Sequence, residues 1–429
     1  MDTRFARCGF FPADILLPQG CDMARWSVVA CDQYTSQPEY WRQAEDFVGD
    51  APSTLRLMLP EAYLGTPQET GRTEKIRRAM AEYLGRGLFA ELLDSMVYVE
   101  RTLSGGRVRH GLVGALDLEQ YDYRPGAGTL IRATEGTVLS RIPPRVRVRQ
   151  GAPLELPHVM VLIDDPADTV IGPLTRGAGE LPPLYDFDLM QGGGHIRGRQ
   201  VSGDALAPVA AALETLVSPE TFAARYGLSG RPVLGYAVGD GNHSLATARR
   251  CYEMVKEHLP REEALRHPAR YALVELINLH DPALRFEPIH RLLTGVDPEA
   301  AAADFLRAVP GARAGEGPGH RVEYVWAGGT GVITFPSSAP LTVAPVQEWV
   351  DRFISQAGPE AAVDYIHGDD TARRLGSRPR SLALLLPPMD KNGLFPSVIR
   401  DGALPRKTFS MGEADEKRFY LECRRIDGE

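Results

Sequence analysis

Apolar residues recur along the chain in two periods. From residue 73, TEKIRRAMAEYLGRGLF sets Ile76, Met80 and Leu84 four apart, which predicts a helix with Thr73 at its cap. SMVYVERTL and RVRHGLVGALDLEQY read as strands joined by a turn at Gly105 and Gly106. HVMVLIDD is a short apolar run ending in acids, the pattern of a buried strand. DALAPVAAALETLV returns to helical spacing, and RPVLGYAVG and RYALVELINLH read as strands on either side of a helix, LATARRCYEMVKEHL. A smaller unit then repeats the texture. DPEAAAADFLRAV and APVQEWVDRFISQ read as helices, HRVEYVWA and GVITFP as strands, and AAVDYIHG and SLALLLPP as strands around the short helix DDTARRLG. This alternation predicts an α/β or α+β fold with a mixed-sheet core. GVDPE at 295–299 marks the expected boundary, giving a core of 1–295 and a smaller α/β unit with tail of 296–429. The turn-rich run 171–203 shows neither period, and long irregular segments of this kind are usually functional or disordered.

Composition narrows the class. A chain of 429 residues with 43 % apolar content can bury a sizeable core, which excludes disordered, collagen-like and disulfide-stapled designs. The net charge of -8 argues against a general nucleic-acid binder. Five cysteines, an odd number with no C-x-x-C pair, fit a reducing cytosol. No apolar stretch approaches the roughly 18 residues of a membrane span, and the N-terminal segment lacks the apolar core of a signal peptide, so a cytoplasmic protein is expected. Only five lysines (Lys75, Lys256, Lys391, Lys407, Lys417) accompany 43 arginines. A lysine kept in such a chain marks a place where a compact charge suits better than a planar fork.

Candidate chemistry gathers in a few segments. In GYAVGDGNHSLATARRCYEMV an apolar strand ends at Gly239, and Asp240, Gly241, Asn242 and His243 form a tight turn. A helix follows with Leu245, Ala248, Tyr252 and Val255 on one face. Such a junction turns backbone N–H groups toward an anion. Asp240 could hold a metal or orient a hydroxyl, and His243 could serve as acid, base or phosphate contact. A plain glycine turn capped by Asn242 or Ser244 fits the same pattern. In IRATEGTVLSRIPPRVRVR, Arg132, Arg141, Arg145, Arg147 and Arg149 stand against the single acid Glu135. Arg147 and Arg149 alternate with valines, which predicts one face of a strand, either phosphate-binding forks or a charge-protected edge. In DLMQGGGHIRG, Gly192, Gly193 and Gly194 precede His195 and Arg197, as a lid over a site or a plain loop. LHDPALRFEPIHR carries His280, Asp281, Glu287 and His290 in a spacing that matches no zinc pattern. In the tail, Ser410 three residues before Glu413 gives a capping-box pattern and a C-terminal helix, with Lys407 available to a phosphate.

Six blocks in order, VACDQYTSQPEYW, TEGTVLSRIPPRVRVR, ELPHVMVLIDD, LMQGGGHIRG, GDGNHSLATA and LPRKTFSMGEADEKRFYLE, resemble the bacterial family called domain of unknown function 1015. The resemblance runs from about residue 10 to residue 426. A more distant one links the turn to the ParB/sulfiredoxin-like superfamily, which includes the archaeal free-serine kinase. The family's usual turn is Asp-Gly-His-His-Arg. Asp240, Gly241 and His243 keep it, while Asn242 replaces the first His and Ser244 the Arg. Arg141 and Arg145 are then expected to restore the missing charge.

The resemblance implies a small-molecule phosphotransferase using Mg²⁺ and ATP or ADP, with L-serine or phosphoserine as candidate substrate. In that reading Asp240 orients the metal or the acceptor hydroxyl. Gly241, Asn242, His243 and the helix start hold phosphate, and Arg141, Arg145 and Lys407 neutralise it. The loop of Gly193, Gly194 and His195 closes over the site, and Glu135, with Asp32 as second choice, is the catalytic acid. Two other classes remain open. One is a metal-dependent phosphoester hydrolase with ligands from His243, His280, Asp281 and His290. The other is a non-enzymatic nucleotide-binding switch. No nucleic-acid or membrane partner is expected, and no oligomeric state follows.

Overall fold

The computed structural model describes residues 2–35, 37–124, 126–336 and 341–428, with the side chain of Ser140 left aside. The chain divides into two compact units, one of Met1–Leu284 with Ala414–Glu429 and one of Arg285–Glu413. The expected boundary near 295 lies inside the second unit. The strand Phe286–Thr294 pairs on one side with Ala362–His367 and on the other with Ser381–Leu385, and those ladders bind it there.

The first unit is built on a mixed eleven-stranded sheet. Its order runs Pro183–Asp188, His195–Val201, Phe89–Thr102, Val108–Asp117, Tyr271–Asn278, Met160–Ile163, Tyr236–Asp240, Ile131–Ala133, Tyr121–Asp122. Phe10–Phe11 and Ala13–Pro18 pair with its middle strands. Parallel pairs join Tyr236–Asp240 to Ile131–Ala133 and Tyr271–Asn278 to Met160–Ile163, and the other long ladders are antiparallel. Met160–Ile163 and Tyr271–Asn278 are buried at every position, as strands covered on both faces must be. The helix Asn242–His258 packs Leu245, Ala248 and Tyr252 inward, the face its spacing marks.

Several elements depart from the sequence pattern. The helix Glu69–Gly85 starts four residues before Thr73, whose hydroxyl donates instead to the Glu69 carbonyl at 3.0 Å. The run 142–149 is a helix, Ile142–Arg149, not a strand. Pro143 and Pro144 sit in its first turn, where fixed φ starts a helix without sacrificing a needed N–H. The turn-rich run 171–203 contains a regular hairpin, Pro183–Asp188 with His195–Val201.

The tail also differs. The expected capping box at Ser410 does not form. Phe409–Met411 is a strand against Phe286–Thr294, Phe409 stacks on Phe286 at 4.0 Å, and the Ser410 hydroxyl donates to the Gly412 carbonyl. Beyond it a single helical turn at Ala414–Glu416 leads into extended chain in the first unit. Phe419–Tyr420 pairs with Val28–Val29, Arg424–Arg425 with Leu154–Glu155, and Cys423 bridges Leu16. Arg418, buried, ion-pairs with Glu275 of the central sheet and with Glu422.

The second unit has its own seven-stranded sheet, with Ser381–Leu385 between His320–Trp326 and Phe286–Thr294. Phe305 and Trp349, from the helices Pro298–Ala308 and Val343–Gln356, meet edge to face at 4.9 Å in its core.

Candidate functional site

The strand Tyr236–Asp240 carries Asp240 to its end, and Gly241 turns the chain with φ +79° into the helix Asn242–His258. Only glycine takes that backbone without strain, and a Cβ there would also stand 3.0 Å from Val159. No side chain caps the helix. Asn242 and Ser244, the expected caps, face other partners. The Asn242 amide accepts from the Thr134 N–H at 3.3 Å and donates to the Val238 carbonyl at 3.4 Å. His243 Nε2 accepts the Val138 N–H at 3.3 Å. These contacts hold the loop 134–138, which carries Glu135, against the head of the helix. An uncapped helix start keeps its first-turn N–H groups for an anion.

Asp240 accepts the Gly241 N–H at 3.0 Å through one oxygen, and its other oxygen lies 3.2 Å from the ammonium of Lys417. Lys417 is only 5 % exposed. The lysine that reaches Asp240 is therefore Lys417. Lys407, the sequence candidate, is an exposed residue of the second unit.

The arginine stretch is committed to carboxylates. Arg145 pairs with Glu61, Arg147 with Glu69 at 2.8 Å and Arg149 with Glu155 at 2.5 Å. Arg132 donates to the carbonyls of Thr129 and Pro232. Arg141 is exposed, and among the described residues no carboxylate pairs with it.

A cavity of about 150 Å³ opens beside the helix head, and Ser244, Leu245 and Ala248 of that helix form part of its wall. Its polar edge is one hydrogen-bonded chain. Ser244 Oγ lies 3.0 Å from His158 Nε2, His158 Nδ1 lies 2.8 Å from the Tyr420 hydroxyl, and that hydroxyl accepts the Cys31 N–H at 3.3 Å. Glu61, Arg145, Arg149 and Glu155 also line the cavity. Burial, and then the neighbouring Asp32, raise the Glu61 carboxyl above its ordinary range despite Arg145. Burial, with Glu61 and Asp32 behind it, pushes the Cys31 thiol well up, so it is not a ready thiolate.

The glycine loop sits elsewhere. Four strands separate His195–Val201 from Tyr236–Asp240 in the sheet. Gly194, at φ +82°, would drive a Cβ into the Thr102 carbonyl, and a Cβ on Gly193 would stand 2.6 Å from Phe419. Close packing explains these glycines. The His195 ring is held between Asp186 and Asp188 at 2.6 and 2.7 Å.

The histidines proposed as metal ligands each have separate partners. His280 lies 2.6 Å from Asp164, Asp281 accepts the His110 N–H at 2.9 Å, and His290, in the second unit, lies 2.9 Å from Asp369. Among the described residues no group of three or more His, Cys, Asp or Glu is placed to hold a metal ion. No helix among them is long and apolar enough to cross a membrane.

Sequence reasoning did not single out His158, Glu61 or Tyr420. His158 and Tyr420 did lie in the quoted blocks ELPHVMVLIDD and LPRKTFSMGEADEKRFYLE. The scarcity of lysine pointed to Lys417 as much as to Lys407.

No curated protein matches the chain. Solved structures similar to it include a free serine kinase variant in complex with AMP, at 9 % identity and TM-score 0.39 over 73 % of this chain and 92 % of that one. A conserved hypothetical protein from Pyrococcus furiosus aligns at 9 % identity and TM-score 0.36, covering 72 % and 90 %. SbnI from Staphylococcus aureus aligns at 9 % and 0.35, covering 70 % and 82 %. At these values the likeness bears on no residue of the site. Residues 16–346 match a family directly, and the chain belongs to that family, described as Protein of unknown function (DUF1015).

Proposed function

We propose that the chain transfers a phosphoryl group between a nucleotide, ATP or ADP, and a small hydroxyl metabolite. The observation that carries this reading is Asp240 paired with the buried Lys417 at an uncapped helix start. Phosphoryl transfer needs positioning and charge neutralisation more than covalent help. The N–H groups of the helix start suit phosphate oxygens. Lys417 supplies a compact cation, and Asp240 can accept the hydrogen bond of the attacking hydroxyl. His243 borders the same helix start, and Glu135 lies on the loop held against it. Among the described residues no set of three ligands gathers at Asp240, so a Mg²⁺ ion there would be held by Asp240 together with the nucleotide's phosphates. Lys417 and the helix start supply the protein's own share of the neutralising charge.

Phosphorus NMR tests the reading, with the protein mixed with ATP or ADP and L-serine, and separately with phosphoserine and ADP or AMP. A new phosphoester signal, or loss of phosphoserine matched by nucleotide gain, establishes transfer and its direction. The free serine kinase likeness chooses serine as first probe and does nothing more. Free phosphate released from phosphoserine without nucleotide change overturns transfer in favour of hydrolysis. Nucleotide binding without turnover on any hydroxyl acceptor overturns it in favour of a binding switch.

A further inference from the structure

The cavity beside the helix head is not the kind of site that suits serine. Its wall is largely apolar, with Leu57, Met58, Leu59, Leu64 and Met80 lining it together with Leu245 and Ala248. Its volume, about 150 Å³, equals that of an engineered apolar cavity of roughly 150 Å³ that stays dry and binds benzene. The charges on its rim are already balanced, Arg145 by Glu61 and Arg149 by Glu155. A free amino acid would bring an ammonium and a carboxylate into a largely apolar space whose lining charges already pair with one another, at a heavy desolvation cost. A single hydroxyl group is different. It can join the chain of Ser244, His158 and Tyr420, whose members both donate and accept.

We propose that this cavity binds a compact neutral alcohol with an apolar body of about benzene size, and that this alcohol is the phosphoryl acceptor: its oxygen bonds to the terminal phosphorus of ATP or ADP as the bridging P–O bond breaks, the nucleotide leaves as ADP or AMP, and the hydroxyl proton passes to Asp240. The second half of the proposal rests on the transfer reading above, and the first half does not. Ser244 belongs both to the cavity wall and to the first turn of the helix that begins two residues after Asp240. The ligand's hydroxyl is placed at Ser244, beside the helix start, and its apolar body against the wall that Met58 and Met80 help to line.

Those two methionines are the reporters. The full-length protein, labelled at its methionine methyl groups, is titrated with benzyl alcohol, toluene and L-serine without nucleotide. Benzyl alcohol is expected to shift the Met58 and Met80 methyl signals saturably and at least tenfold more tightly than L-serine. Toluene binds more weakly than the alcohol, and Ser244→Ala removes that difference. Ala248→Leu, which fills the cavity from the helix, abolishes the shifts. Ala152→Val fills it from another wall and serves if the first variant does not fold. Shifts absent from Met58 and Met80, serine binding as tightly as benzyl alcohol, or undiminished binding in the folded filled variants each overturn the site. Phosphorus NMR with ATP or ADP, run beside the methyl titration, separates the two readings. If methyl shifts occur while no phosphoester of benzyl alcohol forms, the acceptor role is overturned and the alcohol site stands. If transfer occurs to L-serine and the methyl shifts are absent, the alcohol site falls and the transfer reading stands.

Discussion

Lys417 sits where an arginine chain made an exception. Its ammonium reaches Asp240 from a position only 5 % exposed, where a planar guanidinium needs more room and more partners. Lys417→Arg is therefore expected to lower phosphoryl transfer, and Asp240→Asn to lower it about 100-fold or more, the usual cost of losing a group that orients or stabilises the reacting atoms. Both are read by initial rates, with circular dichroism to confirm folding, and full activity in Asp240→Asn sinks the catalytic assignment. A second residue-scale prediction concerns His290. Burial lowers its pKa from 6.5, only partly opposed by Asp369 on one nitrogen, with Arg291 and Arg373 adding to the lowering. Its other nitrogen accepts the Leu386 N–H at 3.2 Å, a bond that protonation would break. The folded state thus resists a proton that the unfolded state takes. The stability this gives is complete above about pH 6.5 and is lost as pH falls toward the lowered folded value. Urea unfolding between about pH 7.5 and pH 5.5 should show this loss, and His290→Gln should flatten it.

At the scale of elements, the glycine hairpin and the arginine helix carry the clearest lessons. Gly194 needs φ +82° and has the Thr102 carbonyl where a Cβ would go. Gly194→Ala is expected to cost about 3 kcal/mol by combining backbone strain with a clash. A cost below about 0.5 kcal/mol, the level of ordinary surface changes, would show that the loop is as loose as its sequence looks. In the helix Ile142–Arg149 the alternation of arginine and valine reads as a strand, yet only Ile142 is buried. The period of two had no core to point into, so it carried no information. The prolines decided the conformation and the carboxylates of Glu61, Glu69 and Glu155 decided where the arginines went.

At the scale of the whole molecule, the last residues return to the first unit and complete its interior. Arg418 pairs with Glu275 and Glu422, all three within 2 % exposure. Against burial, Glu422 and Glu275 hold its guanidinium above the ordinary value, and Arg418 and then Arg109 hold Glu275 below its own. Arg418→Met leaves two buried carboxylates without their main cation, and a loss of about 3–5 kcal/mol is expected in urea unfolding. A loss under about 1 kcal/mol, the worth of an exposed pair, would show that the tail is not part of the core.

The sequence by itself determined the regular elements whose periodicity faces a core. The strand ending in Asp240, its glycine turn, the helix after it and the buried strands around 97, 161 and 274 were all legible, because burial on one or both faces writes its period into the residues. It also determined that Asp240, Gly241 and His243 would share one turn, since they are neighbours in the chain. What only the tertiary structure decided is every partner that comes from far away in sequence. Ser244 meets His158, His158 meets Tyr420, Arg145 meets Glu61, and Asp240 meets Lys417, across separations of 84 to 262 residues. Period and propensity describe a residue's own element. Which charges pair across elements depends on how strands are ordered and where the tail returns, and neither leaves a local pattern to read.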